Sequence, residues 1–319
     1  MKKALIVGID TYPNSPLTGC INDANAVAEL LRTNGDGSPN FDVKLLTNTA
    51  TKAHLLTEIT ELFAGVADVA LLYFAGHGSP SGHLVTPDYQ PPDYGVSQAD
   101  VLAQANASTC RNKIIILDCC FSGQIGESPI TQSTESTLSE GVTILTASSR
   151  NEVSMEVDNQ GLFTSLFLQG LRGSAADVRG QITPAGIYSF IDQSLGAWQQ
   201  RPLFKTNTSQ FLPIRRIEPR VPEKTLRKIG QYFNSPSDTF PLDPSFEFMN
   251  APEKEQKAIE PYANPENVEK FKELQMFASV GLVEPVGEEY MYFAAMNGTA
   301  CKLTALGLHY WNLSKESKL

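Results

Sequence analysis

Apolar runs and polar interruptions alternate through the first two thirds of the chain. Residues 3–9, 67–74 and 142–147 are close to apolar throughout, as are 114–117 within an expected strand at 112–118. Such runs, without a two-residue alternation, fit strands buried on both faces. Between them lie helical patterns. Residues 20–33 place Ala24, Val27, Leu30 and Leu31 on one face, and 97–106 reads as a helix. Thr51 is a candidate N-cap for a helix reaching about Phe63. A short strand is expected at 42–46, helices at 161–171 and 184–198, and a last strand at 209–214. Residues 10–18 and the Pro-, Gly- and Asp-rich 79–96 read as loops, and 122–140 as a polar connector. Strands alternating with helices predict an α/β fold, a mostly parallel sheet flanked by helices.

The pattern changes after Glu218. Residues 220–260 are rich in Pro, Asp and Glu, with one helical stretch near 225–233. A helix at 268–280, a turn at 281–285, a strand at 290–295 and a helix at 303–313 follow. The expectation is a first domain over 1–217 and a small C-terminal α+β, winged-helix-like module over 218–319.

Composition narrows the partners. The 319 residues are 41% hydrophobic and 19% charged, as in a globular chain. A net charge of −10 offers no general attraction to nucleic acid or anionic lipid. The start Met1-Lys2-Lys3 before an apolar run resembles a signal peptide, but Asp10 ends the run early and no cleavage site follows. No stretch approaches a membrane span. Five scattered cysteines argue against a disulfide framework and fit a reducing, cytoplasmic setting.

Two of the buried runs end in reactive side chains: Tyr73-Phe74-Ala75-Gly76-His77-Gly78 and Leu117-Asp118-Cys119-Cys120. A thiolate is a strong nucleophile, and an imidazole beside it takes the proton and later returns it. The 43-position step from His77 to Cys120 spans one loop, one helix and one strand, enough to set them on neighbouring parallel strands. Gly76 and Gly78 permit close backbone approach. The backbone N–H groups of Gly78 and Cys120 are candidate oxyanion donors. Singly, a Cys after a strand is usually a packed hydrophobe and Gly-His-Gly a turn; it is the pair at two strand ends that points to catalysis.

These two stretches resemble the His and Cys motifs of caspase-like peptidases, and most closely the metacaspase and orthocaspase branch. Leu17-Thr18-Gly19-Cys20-Ile21-Asn22-Asp23-Ala24 and Gly161-Leu162-Phe163-Thr164 extend the likeness, which covers about 1–215. The resemblance implies that Cys120 is the nucleophile, His77 its base, and Cys119 a packing neighbour. It also implies that Cys20, Asp23 and Asp118 form the S1 pocket. Phe121 stands where the family commonly has His, and Ala75 where it has Ser, which alters one pocket wall. Caspases proper accept Asp through Arg. Here the first Arg is Arg32, and two carboxylates favour a guanidinium or ammonium, so cleavage after Arg, then Lys, is expected. The competing assignment makes Asp23 a helix cap and Asp118 a turn acceptor.

No cofactor or metal site is assigned. Calcium activates many metacaspases, and Asp88, Asp93 and Asp100 are the acids to consider. Between Cys120 and Arg150 there is no Lys or Arg, so a basic-specific enzyme leaves the connector uncut. Residues 218–319 hold 11 Lys and Arg against 15 Asp and Glu, unlike a DNA-reading module. A sensor, inhibitor or recruitment role is expected, answering a small-molecule (nucleotide) signal or a partner protein, in bacterial defence or regulated cell death. The alternatives are a catalytically idle caspase-like scaffold and a ligand-sensing binding protein.

Overall fold

The computed structural model describes residues 1–48, 51–120, 137–147, 156–157, 160–196, 201–254 and 257–319. The chain divides into two compact units, Met1–Ile217 and Glu218–Leu319. Among the described residues no helix is long and apolar enough to cross a membrane.

The first unit opens with β1 (Lys2–Gly8), α1 (Cys20–Arg32), β2 (Asp42–Thr47), α2 (Lys52–Phe63) and β3 (Val69–Ala75). A hairpin follows, β4 (His83–Gln90) and β5 (Asp93–Ser97), then α3 (Gln98–Ala107), β6 (Asn112–Asp118) and β7 (Val142–Thr146). After β8 (Glu156–Val157) and β9 (Gln160–Gly161) come α4 (Leu162–Gln169), β10 (Gln181–Ile182), α5 (Pro184–Ser194), β11 (Leu203–Asn207) and β12 (Arg215–Arg216). Six strands form one sheet in the order β11-β7-β6-β3-β1-β2, parallel except for β11.

Every residue of β3 and β6 is buried, which explains the unbroken apolar sequence of β3 and the apolar run 114–117 within β6. Successive side chains alternate between two cores. Leu72, Phe74, Ile115 and Leu117 pack with Leu55 and Ile59 of α2 and Val101 of α3. Leu71, Tyr73, Ile114 and Ile116 pack with Val27 of α1, Phe167 of α4 and Ile187 of α5. The chain leaves β1 toward α1 on one face and leaves β3 toward α3 on the other. Neighbouring strands whose connections diverge in this way open a crevice at their carboxyl ends.

Thr51 caps α2 as expected, its hydroxyl accepting from the His54 N–H at 3.3 Å. The β4–β5 hairpin occupies the segment read as a loop; its Pro, Gly and Asp content hides a ribbon that buries little beyond Leu84, Val85 and Val96. The last strand of the six-stranded sheet lies at 203–207, ahead of the expected 209–214. β11 pairs on one side only and is half exposed, so it carries no apolar run, while Pro213 has no N–H for a ladder.

The second unit is α+β. It contains α6 (Glu223–Leu226), α7 (Ile229–Tyr232), β13 (Thr239–Pro241), α8 (Pro265–Ser279), β14 (Val283–Val286), α9 (Met291–Met296), β15 (Ala300–Leu303) and α10 (Ala305–Lys315). Its antiparallel sheet has the order β13-β15-β14. Buried Asn250 ties down the irregular segment after β13, donating to the carbonyls of Pro244, Ile259 and Pro261. The expected strand at 290–295 is helix α9. Its buried residues, Met291, Ala294 and Ala295, follow helical spacing, while exposed Tyr292 and Phe293 supply the aromatic content that reads as strand. The expected turn at 281–285 holds most of β14.

Candidate active site

Loops leaving β1, β3 and β6 meet at the crevice. The register sets Gly8 beside Ala75, and Ala75 beside Asp118. Two residues further along β3 and β6 come His77 and Cys120.

His77 is held from three directions. Its backbone N–H donates to Tyr12 Oη at 3.0 Å, and its ring lies 4.5 Å from the Tyr12 ring. Its Nε2 is 2.7 Å from the Ser15 carbonyl oxygen. A carbonyl only accepts, so Nε2 carries the proton and Nδ1 is the nitrogen able to receive one. Tyr12 is buried, and burial pushes its phenol far above the ordinary range, so it stays a neutral donor to the Val85 carbonyl at 3.3 Å.

The two glycines beside His77 are required by proximity. A Cβ on Gly76 would stand 2.5 Å from Tyr12 Oη, and one on Gly78 would stand 2.0 Å from the Cys120 carbonyl oxygen. Gly78 pairs with Leu84 across a bridge whose hydrogen bonds run from Val85 N–H to His77 O and from Ser79 N–H to His83 O. The Gly78 amide stands outside that ladder. Cys119 is buried, and burial drives its thiol well above the usual range; Cys120 is partly exposed.

Helix α1 begins at the mouth of the crevice. Asp10, just past β1, accepts from the N–H groups of Cys20 at 2.9 Å and Ile21 at 3.3 Å. It thereby caps the helix and answers its positive end. The N–H of Asp23 goes to the Gly19 carbonyl, so the Asp23 side chain is not the cap. Asp23 and Asp118 are 3% and 7% exposed, low enough that each carboxylate needs donors. Asp23 Oδ2 accepts from the Gly161 N–H at 3.3 Å, and Asp118 Oδ2 from the Thr164 hydroxyl at 2.6 Å. Burial, and then the carboxylates of Asp10, Asp118 and Asp23, keep the Cys20 thiol protonated.

These groups share one cleft of about 370 Å³, lined by Leu17, Gly19, Cys20, Asp23, Gly76, His77, Asp118, Cys119, Cys120 and Gly161. These lining residues include two carboxylates and no Lys or Arg.

The sequence profile of the caspase domain matches residues 1–208. The chain belongs to the caspase domain family. Among solved structures, caspase-1 from Spodoptera frugiperda is 16% identical, covering 68% of this chain and 90% of its own, with a TM-score of 0.49. A protein from Geobacter sulfurreducens is 18% identical, covering 68% of this chain and all of its own, with a TM-score of 0.49. No curated protein matches the chain. At the level of class, a caspase domain carries cysteine-peptidase chemistry.

The caspase domain brings His77, Cys120, Cys20, Asp23 and Asp118 to one cleft; Gly78, next to His77, is not one of its lining residues and packs against the Cys120 carbonyl. Phe121 and the connector as far as residue 136 lie outside the described residues. Sequence reasoning passed over Asp10, Tyr12 and Ser15. The one signal for them was an acid and an aromatic residue directly after an apolar strand. The acids considered for calcium have other work. Asp88 accepts from the Lys52 N–H at 3.0 Å and the Thr86 hydroxyl at 2.6 Å, and Asp93 pairs with Lys52 Nζ at 2.6 Å. Asp100 sits in the first turn of α3. Among the described residues no group of three or more His, Cys, Asp or Glu is arranged to hold a metal.

Proposed function

We propose that this caspase domain is a cysteine endopeptidase of the metacaspase and orthocaspase kind, cleaving after Arg and more slowly after Lys. The observation that carries this reading is the convergence of His77, Cys120, Asp23 and Asp118 on one cleft.

His77 Nδ1 takes the Cys120 proton and the sulfur attacks the peptide carbonyl carbon. The oxyanion accepts from the backbone N–H groups of Gly78 and Cys120. As the C–N bond breaks, the imidazolium protonates the leaving amine. Water, deprotonated by His77, then hydrolyses the thioester and restores the thiol. Asp23 and Asp118 hold the P1 side chain, with a planar guanidinium favoured because it donates to both oxygens of a carboxylate.

Residues 218–319 serve as a sensor or recruitment module that releases activity on a small-molecule (nucleotide) signal or a partner protein. The setting is the cytoplasm of a bacterium, in defence or regulated cell death. Supporting this are a separate compact unit and an acidic balance that disfavours nucleic acid.

The test uses the full chain, with candidate activators, on fluorogenic peptides ending in Arg, Lys or Asp. Arg should be cleaved fastest, and Cys120→Ala and His77→Ala should each abolish cleavage. Faster cleavage after Asp overturns the specificity. Cleavage that survives Cys120→Ala overturns the dyad. Ligand-induced stabilisation without any proteolysis would favour the reading as a ligand-sensing binding protein. Intact mass of the same samples should show an uncut chain across 121–149.

A further inference from the structure

Asp118 is not held by its own strand end alone. Its Oδ2 receives the Thr164 hydroxyl at 2.6 Å, and Thr164 Oγ1 lies 2.6 Å from the Tyr73 hydroxyl. Tyr73 and Thr164 are both 0% exposed, so neither hydroxyl has water as an alternative partner. The direction of the chain follows from proton counting. A threonine hydroxyl has one hydrogen, and an ionised carboxylate oxygen only accepts, so Thr164 donates to Asp118 and accepts from Tyr73. Burial pushes the Tyr73 phenol well above its ordinary range, so Tyr73 remains a donor.

The same turn reaches the other acid. Gly161, the residue before α4, donates its N–H to Asp23 Oδ2 at 3.3 Å. A Cβ there would stand 2.8 Å from Asp118 Oδ2, so a glycine is what allows this backbone to lie between the two carboxylates. Gly161 also lines the cleft. The positive end of α4 thus faces both acids and supplies each with a donor. Two carboxylates sharing a cleft repel, and without such donors one of them takes up a proton.

We propose that the first turn of α4 sets the specificity of the cleft, with Thr164 and Tyr73 as positioning residues that hold the Asp118 carboxylate in the orientation a basic P1 side chain requires. This rests on the basic-P1 reading above. Thr164 and Tyr73 touch no substrate; they act through Asp118. Among the described residues, the titratable groups near that carboxylate include Asp23 and Cys20 on α1, Tyr73 on β3, His77 beyond β3, and Cys119 and Cys120 beyond β6, with Asp10 beside Cys20.

The test measures binding of N-acetyl-arginine amide and N-acetyl-norleucine amide to the full-length chain by ligand-observed NMR, which needs no activating signal. Wild type should prefer the arginine amide. Thr164→Val, close in shape but without the donor, should weaken arginine-amide binding by about ten-fold or more, as expected for a hydrogen bond to a charged group. Norleucine-amide binding should stay constant. The acid limb of arginine binding should move to higher pH, because a carboxylate that loses a donor protonates more readily. Thr164→Ser should restore both. Tyr73→Phe, which leaves the Thr164–Asp118 bond in place, should reproduce the loss at about three-fold, and it decides the matter if Thr164→Val does not fold. Unchanged discrimination in Thr164→Val, or in Tyr73→Phe where that variant decides, overturns the proposal and leaves the basic-P1 reading standing. A wild type that binds both amides equally overturns both.

Discussion

Substituting Gly78 by Ala tests how closely the two strand ends must approach. The added Cβ would stand 2.0 Å from the Cys120 carbonyl oxygen and 3.3 Å from Cys119 Sγ. A carbon rests against a carbonyl oxygen at about 3.3 Å. The two backbones must therefore part by roughly 1 Å, and neither is a flexible side-chain tip that swings aside. His77 precedes Gly78 in sequence, so this movement separates the proposed base from the proposed nucleophile. A misplacement of about 1 Å at reacting groups costs on the order of 100-fold in rate. Overpacking of this kind costs about 1–3 kcal/mol of stability, far less than the sheet beneath contributes. The assay is kcat/KM on the Arg-ending peptide beside a thermal melt. The expected result is a loss near 100-fold with a cooperative melt a few degrees lower. A variant within two-fold of wild type would refute the close approach and, with it, the use of Gly78 beside Cys120 at the oxyanion.

Tyr12→Phe keeps the ring against His77 and removes the acceptor for the His77 N–H and the donor to Val85. Leaving buried groups unpaired costs about 1–3 kcal/mol, and kcat/KM should fall about ten-fold as the base loses one anchor; a lower melting point with full activity would make Tyr12 a packing residue only. Lys2 Nζ donates to Asn40 Oδ1 at 2.9 Å and the Pro213 carbonyl at 2.7 Å, and burial, then Arg216, brings its ammonium down to about 8 from 10.5. The folded chain therefore binds fewer protons than the unfolded chain between those values, and stability from this group rises with pH across that window. The melting-temperature difference between wild type and Lys2→Met should shift toward wild type from pH 7.5 to 10, and a shift the other way excludes the reasoning.

Sequence by itself determined the architecture of the first unit. A strand covered on both faces is apolar along most of its length, so β1, β3, β6 and β7 announce themselves, and their alternation with helices implies a parallel sheet. It also placed His77 and Cys120 at strand ends, because reactive groups directly after buried runs have few other locations. What it could not determine was any strand that does not depend on burial. The hairpin β4–β5 and the edge strand β11 are held mainly by backbone hydrogen bonds, which leave little mark on side-chain type. In α9, aromatic residues that face outward masked the small buried ones that define the helix. Tertiary structure alone decided the supporting contacts. Asp10 caps a helix ten residues away, Tyr12 and Ser15 hold a histidine more than sixty residues on, and Thr164 reaches Asp118 across 46 positions. Each such contact joins groups that only the assembled sheet brings within 3.3 Å, and no local pattern encodes a distance between loops.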